Sequence, residues 1–364
     1  MAKVYVGMSG GVDSSVSAAL LKEAGHDVTG VFIKTWHPEF LTCTWREDRN
    51  DAMAVCAKLG IPFETLDLEE AYKRDVADYM IEEYRAGRTP NPDVMCNRFI
   101  KFGGFFRYAR ENGAEYVATG HYARLRREAP STKHQIANIE LLAGVDHNKD
   151  QSYFLWTLSQ DVLQHVLFPI GGYTKPEVRE LARKFDLPVA EKKDSQGVCF
   201  LGKVEMRDFL KRYIEEKEGE VLSVSGEVIG THEGSFYYTR GQRHGFLVTK
   251  KTPNDAPYYV IDKNIEANTI TVSNDPRGEN DTHVSLEVEL EHTSWANGEP
   301  QEHTPYTCRF RYRQRLESCS VTYVEGKTWV VFDTPVPSLN PGQSLVIYDG
   351  EICLGGGVIP SKNS

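Results

Sequence analysis

No stretch of the 364-residue chain approaches the roughly 20 consecutive apolar residues that a membrane-spanning helix needs, so no membrane partner is expected. The chain opens directly into Met1-Ala2-Lys3-Val4-Tyr5-Val6-Gly7, a strand-like run that leaves no room for a signal peptide, and a cytoplasmic location is the default expectation. Cysteine is sparse and unpaired in pattern: the seven residues Cys43, Cys56, Cys96, Cys199, Cys308, Cys319 and Cys353 are odd in number and dispersed. That excludes a disulfide framework of the kind found in small secreted domains. With no close CxxC pair, a structural zinc knuckle is not signalled either. The chain also lacks an internal repeat and a long low-complexity linker. A net charge of −10 argues against broad, sequence-independent nucleic-acid binding, while leaving room for a local basic surface.

What remains is a globular composition, with 40% hydrophobic and 26% charged residues, long enough for two or three domains. Lys3 to Met8 reads as a buried strand, followed by a helix from Asp13 that Gly25 stops. Asp27 to Ile33 and Phe63 to Asp67 read as further strands, separated by a helix over Asp48 to Leu59. Helices are expected over Glu69 to Tyr84 and Phe99 to Asn112, with a strand over Tyr116 to Gly120. Strands alternating with helices at this spacing imply an α/β domain with a doubly wound parallel sheet. Ligands of such sheets sit beyond the carboxyl ends of the strands, where Ser9, Ile33 and Gly120 fall. Arg126 to Ile139 reads as a polar surface excursion, and Lys175 to Phe185 as a helix. After about residue 203 short β-rich segments bounded by glycine dominate. The expected division is therefore 1–203 for the α/β domain, 204–278 for a small β-rich central domain, and 279–364 for a C-terminal β-barrel.

Ser9-Gly10-Gly11-Val12-Asp13-Ser14 joins the first strand to the first helix. Two consecutive glycines let backbone amides curl toward an anion, and the helix start behind them adds unpaired N–H groups and a positive dipole end. A Walker loop would carry a lysine after its glycines and a dinucleotide fingerprint would read GxGxxG; neither is present. The segment resembles the loop of the N-type ATP pyrophosphatases, which cleave ATP to AMP and pyrophosphate while adenylating a substrate oxygen. The bland alternative is a glycine turn that only connects strand to helix.

Two cysteine segments narrow the reading: Asn91-Pro92-Asp93-Val94-Met95-Cys96-Asn97 and Asp194-Ser195-Gln196-Gly197-Val198-Cys199-Phe200. A lone cysteine is most often a packing residue. These two lie in polar, turn-prone stretches, with Cys96 placed ahead of the helix expected from Phe99, near Arg98 and Lys101, and Lys192 and Lys193 ahead of Cys199. On these grounds neither is expected in a core position, and a helix terminus or a nearby cation would favour a thiolate. The other cysteines read as packing residues.

Together with GMSGGVDSSV at 7–16, the segments NPDVMCNRFIKF at 91–102, ATGHYAR at 118–124, LLAGVDHNKDQSYFL at 141–155, KKDSQGVCFLG at 192–202, GQRHG at 241–245, RYRQ at 311–314 and PGQS at 341–344 resemble the tRNA-specific 2-thiouridylase family. The resemblance implies ATP as co-substrate with Mg2+, bound around Gly7, Met8, Ser9, Gly10, Gly11, Val12, Asp13, Ser14, Ile33 and Gly120. It implies that Cys199 carries incoming sulfur as a persulfide and that Cys96 attacks it, leaving a Cys96–Cys199 disulfide. It places Asn91, Pro92 and Asp93 at the target base, with Asp93 as an acid/base group. It gives tRNA contacts to His121, Lys149, Asp150, Gln151, Arg311, Tyr312 and Gln343. The implied reaction adenylates O2 of the wobble uridine and replaces it with sulfur, on tRNAs reading Lys, Glu and Gln codons. The sulfur would come from a persulfide donor, either a cysteine desulfurase or a relay protein.

The run Arg309-Phe310-Arg311-Tyr312-Arg313-Gln314-Arg315-Leu316 alternates strictly. As a strand it would set four arginines on one face, a strip suited to phosphates. Magnesium ligands are not legible. An ATP-dependent amidating synthetase would share the loop, but the chain shows no glutaminase domain and both cysteine segments would be left without a role. Thiolation at another tRNA position is the nearer alternative.

Overall fold

A computed structural model describes residues 1–40, 45–127, 138–193, 206–249, 256–274, 284–337 and 339–361. Cys43 and Cys199 fall outside the described residues, and so does most of the segment expected as a surface excursion.

Strands β1 (Lys3–Met8), β2 (Asp27–Lys34), β3 (Phe63–Asp67), β4 (Tyr116–Ala118) and β7 (Val166–Leu167) form one parallel sheet in the order β3-β2-β1-β4-β7. Val4, Val6, Val28 and Val31 are almost fully buried because helices cover both faces, which is why these strands read as continuous apolar runs. Chain direction across the sheet reverses between β1 and β4, so the loops leaving these two strands diverge and open a crevice at their carboxyl ends. The helix Val12–Glu23 follows β1, and a long helix over 92–111 precedes β4. Within that long helix, Cys96–Phe105 has the wider π-type winding, a form that appears mostly where function requires it.

The central unit is a five-stranded sheet of β8 (Gly219–Leu222), β9 (Val228–His232), β10 (Leu247–Val248), β11 (Tyr259–Asn264) and β12 (Thr269–Ser273). Its apolar face, including Val221, Ile229 and Ile270, joins the same buried cluster as Tyr5, Ile33 and Cys96 of the first domain.

The C-terminal strands β13 (Ser285–Trp295), β14 (Tyr306–Arg309), β15 (Glu317–Val324), β16 (Lys327–Val336), β17 (Ser344–Asp349) and β18 (Ile352–Val358) pair in the order β13-β16-β15-β14-β17-β18. β18 returns to pair with β13, closing a six-stranded barrel with no free edge of its own. The hairpin β5 (Ala123–Arg127) and β6 (Ile139–Ala143) extends this sheet from the first domain through an Ile352–Leu142 register. The ends of the expected polar excursion, Arg126, Arg127 and Ile139, are therefore strand residues, with Ile139 buried.

The alternating run 309–316 is not a strand. β14 ends at Arg309, and Arg313 sits at a left-handed φ of 62°, so the chain turns over 310–313. Arg309 is drawn inward instead, 3.3 Å from the buried carboxylate of Asp150 and 4.9 Å from the centre of the Tyr348 ring.

Candidate active site

β1 ends at Met8, and the chain passes through Ser9, Gly10 and Gly11 into the helix at Val12. Gly10 has φ of 71°, and a Cβ there would stand 2.2 Å from the Asp48 carbonyl oxygen, so only glycine fits. Ser14 holds the turn closed: its hydroxyl accepts from the Ser9 N–H at 3.2 Å and donates to the Gly11 carbonyl at 3.3 Å. Ser15 donates to the same carbonyl at 2.7 Å. The first-turn amides of the helix have no carbonyl upstream within it, so an anion is their natural partner.

From the opposite side of the crevice comes Gly120, two residues past β4. A Cβ at Gly120 would lie 2.7 Å from the Ser14 nitrogen and 2.9 Å from the Asp13 carbonyl carbon, so backbone rests directly against backbone. Ile33 is 5% exposed at the end of β2. Gly7 to Ser14, Ile33 and Gly120 are therefore gathered at the carboxyl ends of adjacent strands.

Charged groups brace the loop from outside. Lys175 donates to both Asp13 oxygens at 2.7 and 2.9 Å, and the Tyr122 hydroxyl donates to Asp13 at 2.8 Å. Lys192 reaches the Gly10 carbonyl at 3.0 Å, Asp48 at 2.8 Å and Asp51 at 2.5 Å. Burial alone would lower the pKa of this ammonium, but its contacts with Asp48 and Asp51 outweigh that and hold it above the ordinary lysine value. Lys192 lies seven residues before Cys199 in the chain, so the root of the Cys199 segment is pinned to the loop.

Cys96 is not in a polar turn. Asn91 caps the helix that begins at Pro92, its side-chain oxygen accepting from the Val94 N–H at 3.3 Å, and proline suits the first turn. The helix thus starts well before Phe99 and carries Cys96 into the core, where it is 0% exposed beside Ile33, Ile100 and Phe105. It remains close to the positive end of the helix dipole. Lys101 lies 3.3 Å from the His121 ring nitrogen, and the Arg98 guanidinium lies 5.1 Å from the centre of the exposed Phe99 ring. Pro92 and Asp93 are half-buried in the first turn. Asn97, beside Cys96, donates to the Phe154 carbonyl at 3.0 Å while its buried oxygen meets no protein donor.

The RNA candidates divide into two groups. Arg311 is exposed and Lys149, Gln151 and Tyr312 are half-buried. Tyr312 stacks against Phe154 with ring centres 4.7 Å apart, and Arg311 reaches the Arg240 carbonyl at 3.4 Å. His121 and Asp150, by contrast, are 4% and 2% exposed. Burial, with the Lys101 charge adding to it, holds the His121 imidazole well below its ordinary pKa, and Thr119 lies 2.7 Å from its Nδ1. Asp150 accepts from the Gly144 and Ser152 N–H groups at 3.0 Å each, in addition to its Arg309 pair. Gln343 faces inward, its amide donating to the Thr89 and Pro90 carbonyls at 2.8 and 3.1 Å, so the barrel steadies the chain entering Asn91.

Lys175, Tyr122 and Asn97 carry no local signal in the sequence, because each acts through partners more than 20 residues away, and Lys192 stands out there only as a cation ahead of Cys199, not as a brace for the loop. Cys56, Cys308, Cys319 and Cys353 are buried, as expected of packing residues. Burial pushes Cys56 up to about 11 and Cys353 up to about 12, and the Cys319 contact together with burial raises Cys308 further. Cys56, Cys308 and Cys353 therefore stay protonated and poorly nucleophilic. Among the described residues no cluster of three or more His, Cys, Asp or Glu could hold a metal.

Family models match nearly the whole chain: the tRNA methyl transferase HUP domain over 2–203, the tRNA methyl transferase PRC-barrel domain over 207–274 and the Aminomethyltransferase beta-barrel domain over 285–359. The chain is 47% identical to the tRNA-specific 2-thiouridylase MnmA of Proteus mirabilis (strain HI4320), covering 99% of this chain and 97% of that one. Identity is 44% to the same-named protein of Staphylococcus carnosus (strain TM300) and 45% to that of Streptococcus mutans serotype c, each covering 98% of this chain and 95% of the relative. Solved structures are more distant: a 4-thiouridine synthetase–RNA complex with bound ATP superimposes at a TM-score of 0.35 with 20% identity, over 58% of this chain and 50% of that one, too slight a likeness to carry an argument. Near full-length identity at this level, with the ATP-type loop and the Asn91–Cys96 segment in place, decides the matter: the chain belongs to the tRNA-specific 2-thiouridylase family.

Proposed function

We propose that this enzyme uses ATP to adenylate O2 of the wobble uridine of tRNA and replaces that oxygen with sulfur, releasing AMP and pyrophosphate. The observation that carries the reading is the Ser9–Ser14 loop locked against Gly120 at the β1/β4 crevice, with Cys96 of the Asn91-capped helix in the same buried cluster as Ile33 at the end of β2. Uridine C2 is a poor electrophile because its oxygen leaves badly; as part of AMP that oxygen departs readily. The loop amides supply donors suited to triphosphate. Mg2+ fits as a charge partner held mainly by phosphate oxygens, since it commonly takes only one or two carboxylates from protein. Asp13, Asp48 and Asp51 lie at the loop, each engaged by lysine.

Sulfur arrives as a persulfide on Cys199. The Cys96 thiolate attacks the Cys199 inner sulfur, the sulfur–sulfur bond of the persulfide breaks, and hydrosulfide leaves to attack C2 as AMP departs. A Cys96–Cys199 disulfide remains and needs a thiol reductant before the next turnover. Because Cys96 is fully buried, this step requires the segment around it to open toward substrate. Asp93 serves as the acid/base group, with Asn91 and Pro92 shaping the base pocket. Lys149, Gln151, Arg311 and Tyr312 offer the RNA-facing surface, while His121, Asp150 and Gln343 hold that surface in shape. The substrates would be tRNAs reading Lys, Glu and Gln codons, and the sulfur donor a cysteine desulfurase or relay protein. We take 1–203, 204–278 and 279–364 as the three domains, acting in a cytoplasmic setting.

The wording "methyl transferase" in two of the matching family descriptions suggests a different group transfer. A methyl transfer would have no use for a pyrophosphatase-type loop or two reactive cysteines. Transcript tRNA carrying heavy oxygen at C2 of the wobble uridine decides between them: adenylation of O2 delivers the label to AMP. Unlabelled AMP, or no AMP, would remove the proposal.

A further inference from the structure

The ATP loop and the 146–151 turn serve different substrates in the reading above, and one hydrogen-bonded cluster joins them. Asp13 of the loop helix is held by Lys175 and Tyr122. Both holders are fastened to the turn. The Lys175 backbone N–H donates to Asp146 Oδ2 at 2.9 Å, and Asp146 Oδ1 accepts from the Asn148 and Lys149 N–H groups at 3.0 and 3.2 Å. Tyr122 pairs with Gln151 both ways: its N–H donates to Gln151 Oε1 at 3.0 Å, and the Gln151 N–H donates to its carbonyl at 2.9 Å. A Cβ on Gly144 would lie 2.6 Å from that same Tyr122 carbonyl, so turn and tyrosine are in close contact. The barrel grips the far side of the turn, Arg313 donating to the Asn148 carbonyl at 3.0 Å and Arg309 pairing with Asp150.

Lys175 is an odd choice for its own helix. It is the first residue of Lys175–Lys184, where the positive dipole end disfavours a cation. It is also only 9% exposed, and a charge that buried requires a partner of good geometry. The Thr174–Glu177 capping box stabilises the helix start despite it. The position therefore serves Asp13 more than the helix.

We propose that Lys175 and Tyr122 are positioning residues that keep the ATP loop, through Asp13, in register with the RNA-facing turn, so that tRNA and ATP strengthen each other's binding. This rests on the thiouridylase reading. Any shift of the turn by RNA moves the Lys175 backbone and the Tyr122 backbone together, and with them the two donors to Asp13. Coupling of this kind is reciprocal, so it is measurable from either ligand.

The test measures the dissociation constant of α,β-methylene-ATP by calorimetry, without and with saturating tRNA, and thiolation separately. In the wild type tRNA should tighten the nucleotide about fivefold or more, the lower end of ordinary coupling. In Lys175→Met the ratio should fall to near one, and Lys175→Arg should keep part of it, because a guanidinium can still engage both oxygens. Tyr122→Phe removes one hydroxyl and leaves the ion pair, so it keeps the test open if Lys175→Met does not fold; its ratio should also fall while its melting temperature stays near wild type. A merely structural role predicts lowered melting temperatures with an unchanged ratio, and that result overturns the inference. A wild type that thiolates tRNA but shows no coupling overturns it too, leaving the proposed function intact. Coupling in a wild type that never transfers sulfur would uphold this inference and sink the reaction.

Discussion

Gly120→Ala is the sharpest perturbation available at the nucleotide loop. The added methyl would stand 2.7 Å from the Ser14 nitrogen and 2.9 Å from the Asp13 carbonyl carbon, about 0.7 Å nearer than the 3.4 Å at which ordinary contact begins. Both neighbours are backbone, so no side chain can swing away, and the loop itself must move. Overpacking of this kind destabilises by about 1–3 kcal/mol. For a unit of this size each kcal/mol lowers Tm by roughly 2–4 °C, so a fall of roughly 2–12 °C is expected. The catalytic effect should be larger in proportion, since misplacing a reacting group by about 1 Å costs around a hundredfold; kcat/KM for ATP should drop about 10- to 100-fold. Gly172→Ala is the control: nothing lies within 4 Å of its added carbon, and both quantities should stay at the wild-type value. AMP release in the presence of tRNA, alongside thermal melts, reads both. If Gly120→Ala releases AMP with wild-type kcat/KM, the loop is not where ATP is activated.

Three further outcomes follow from the same structure. Arg309→Ala strands the 2%-exposed carboxylate of Asp150 without its cation and should lower unfolding free energy by about 3–5 kcal/mol, checked by urea titration; a loss under about 1 kcal/mol would mean the pair is solvated. His121 is held below its ordinary pKa of 6.5, so the unfolded chain binds a proton that the folded protein refuses. Its stability contribution is therefore complete above about pH 6.5 and is lost below it at up to about 1.4 kcal/mol per pH unit. His232 shifts in the same direction, mainly through burial, so His121→Gln should reduce the slope of stability against pH without abolishing it, and parallel curves would contradict the burial argument. Gln343→Ala removes two hydrogen bonds to the Thr89 and Pro90 carbonyls, each worth about 1 kcal/mol. It should slow thiolation more than it weakens tRNA binding in a filter assay, because it loosens the entry to the Asn91 cap; weakened binding alone would make Gln343 a direct RNA contact.

The parallel sheet and its loop were legible because β1, the double glycine and the helix behind them are local features of one contiguous stretch, Lys3 to Glu23. Cys96 was misjudged for a local reason as well: Asn91, Pro92 and Asp93 look turn-like, yet they are a cap and a first turn that start a helix, and the helix then carries the thiol inward. The arginine run failed because alternation describes a strand only if the backbone stays extended. The left-handed Arg313 and the pull of Asp150 on Arg309 override it. The Lys175–Asp13 pair spans 162 positions, and no periodicity announces a contact of that kind.

The most direct test of the account is mass spectrometry of the wobble nucleotide after unmodified tRNA is incubated with this protein, ATP, Mg2+ and a persulfide donor, with Cys96→Ser and Cys199→Ser in parallel. The account predicts one oxygen-to-sulfur exchange at that uridine with the wild type, and pyrophosphate release without sulfur transfer in either variant. An unchanged wobble uridine beside normal ATP consumption by the wild type, or full thiolation by both variants, would contradict it.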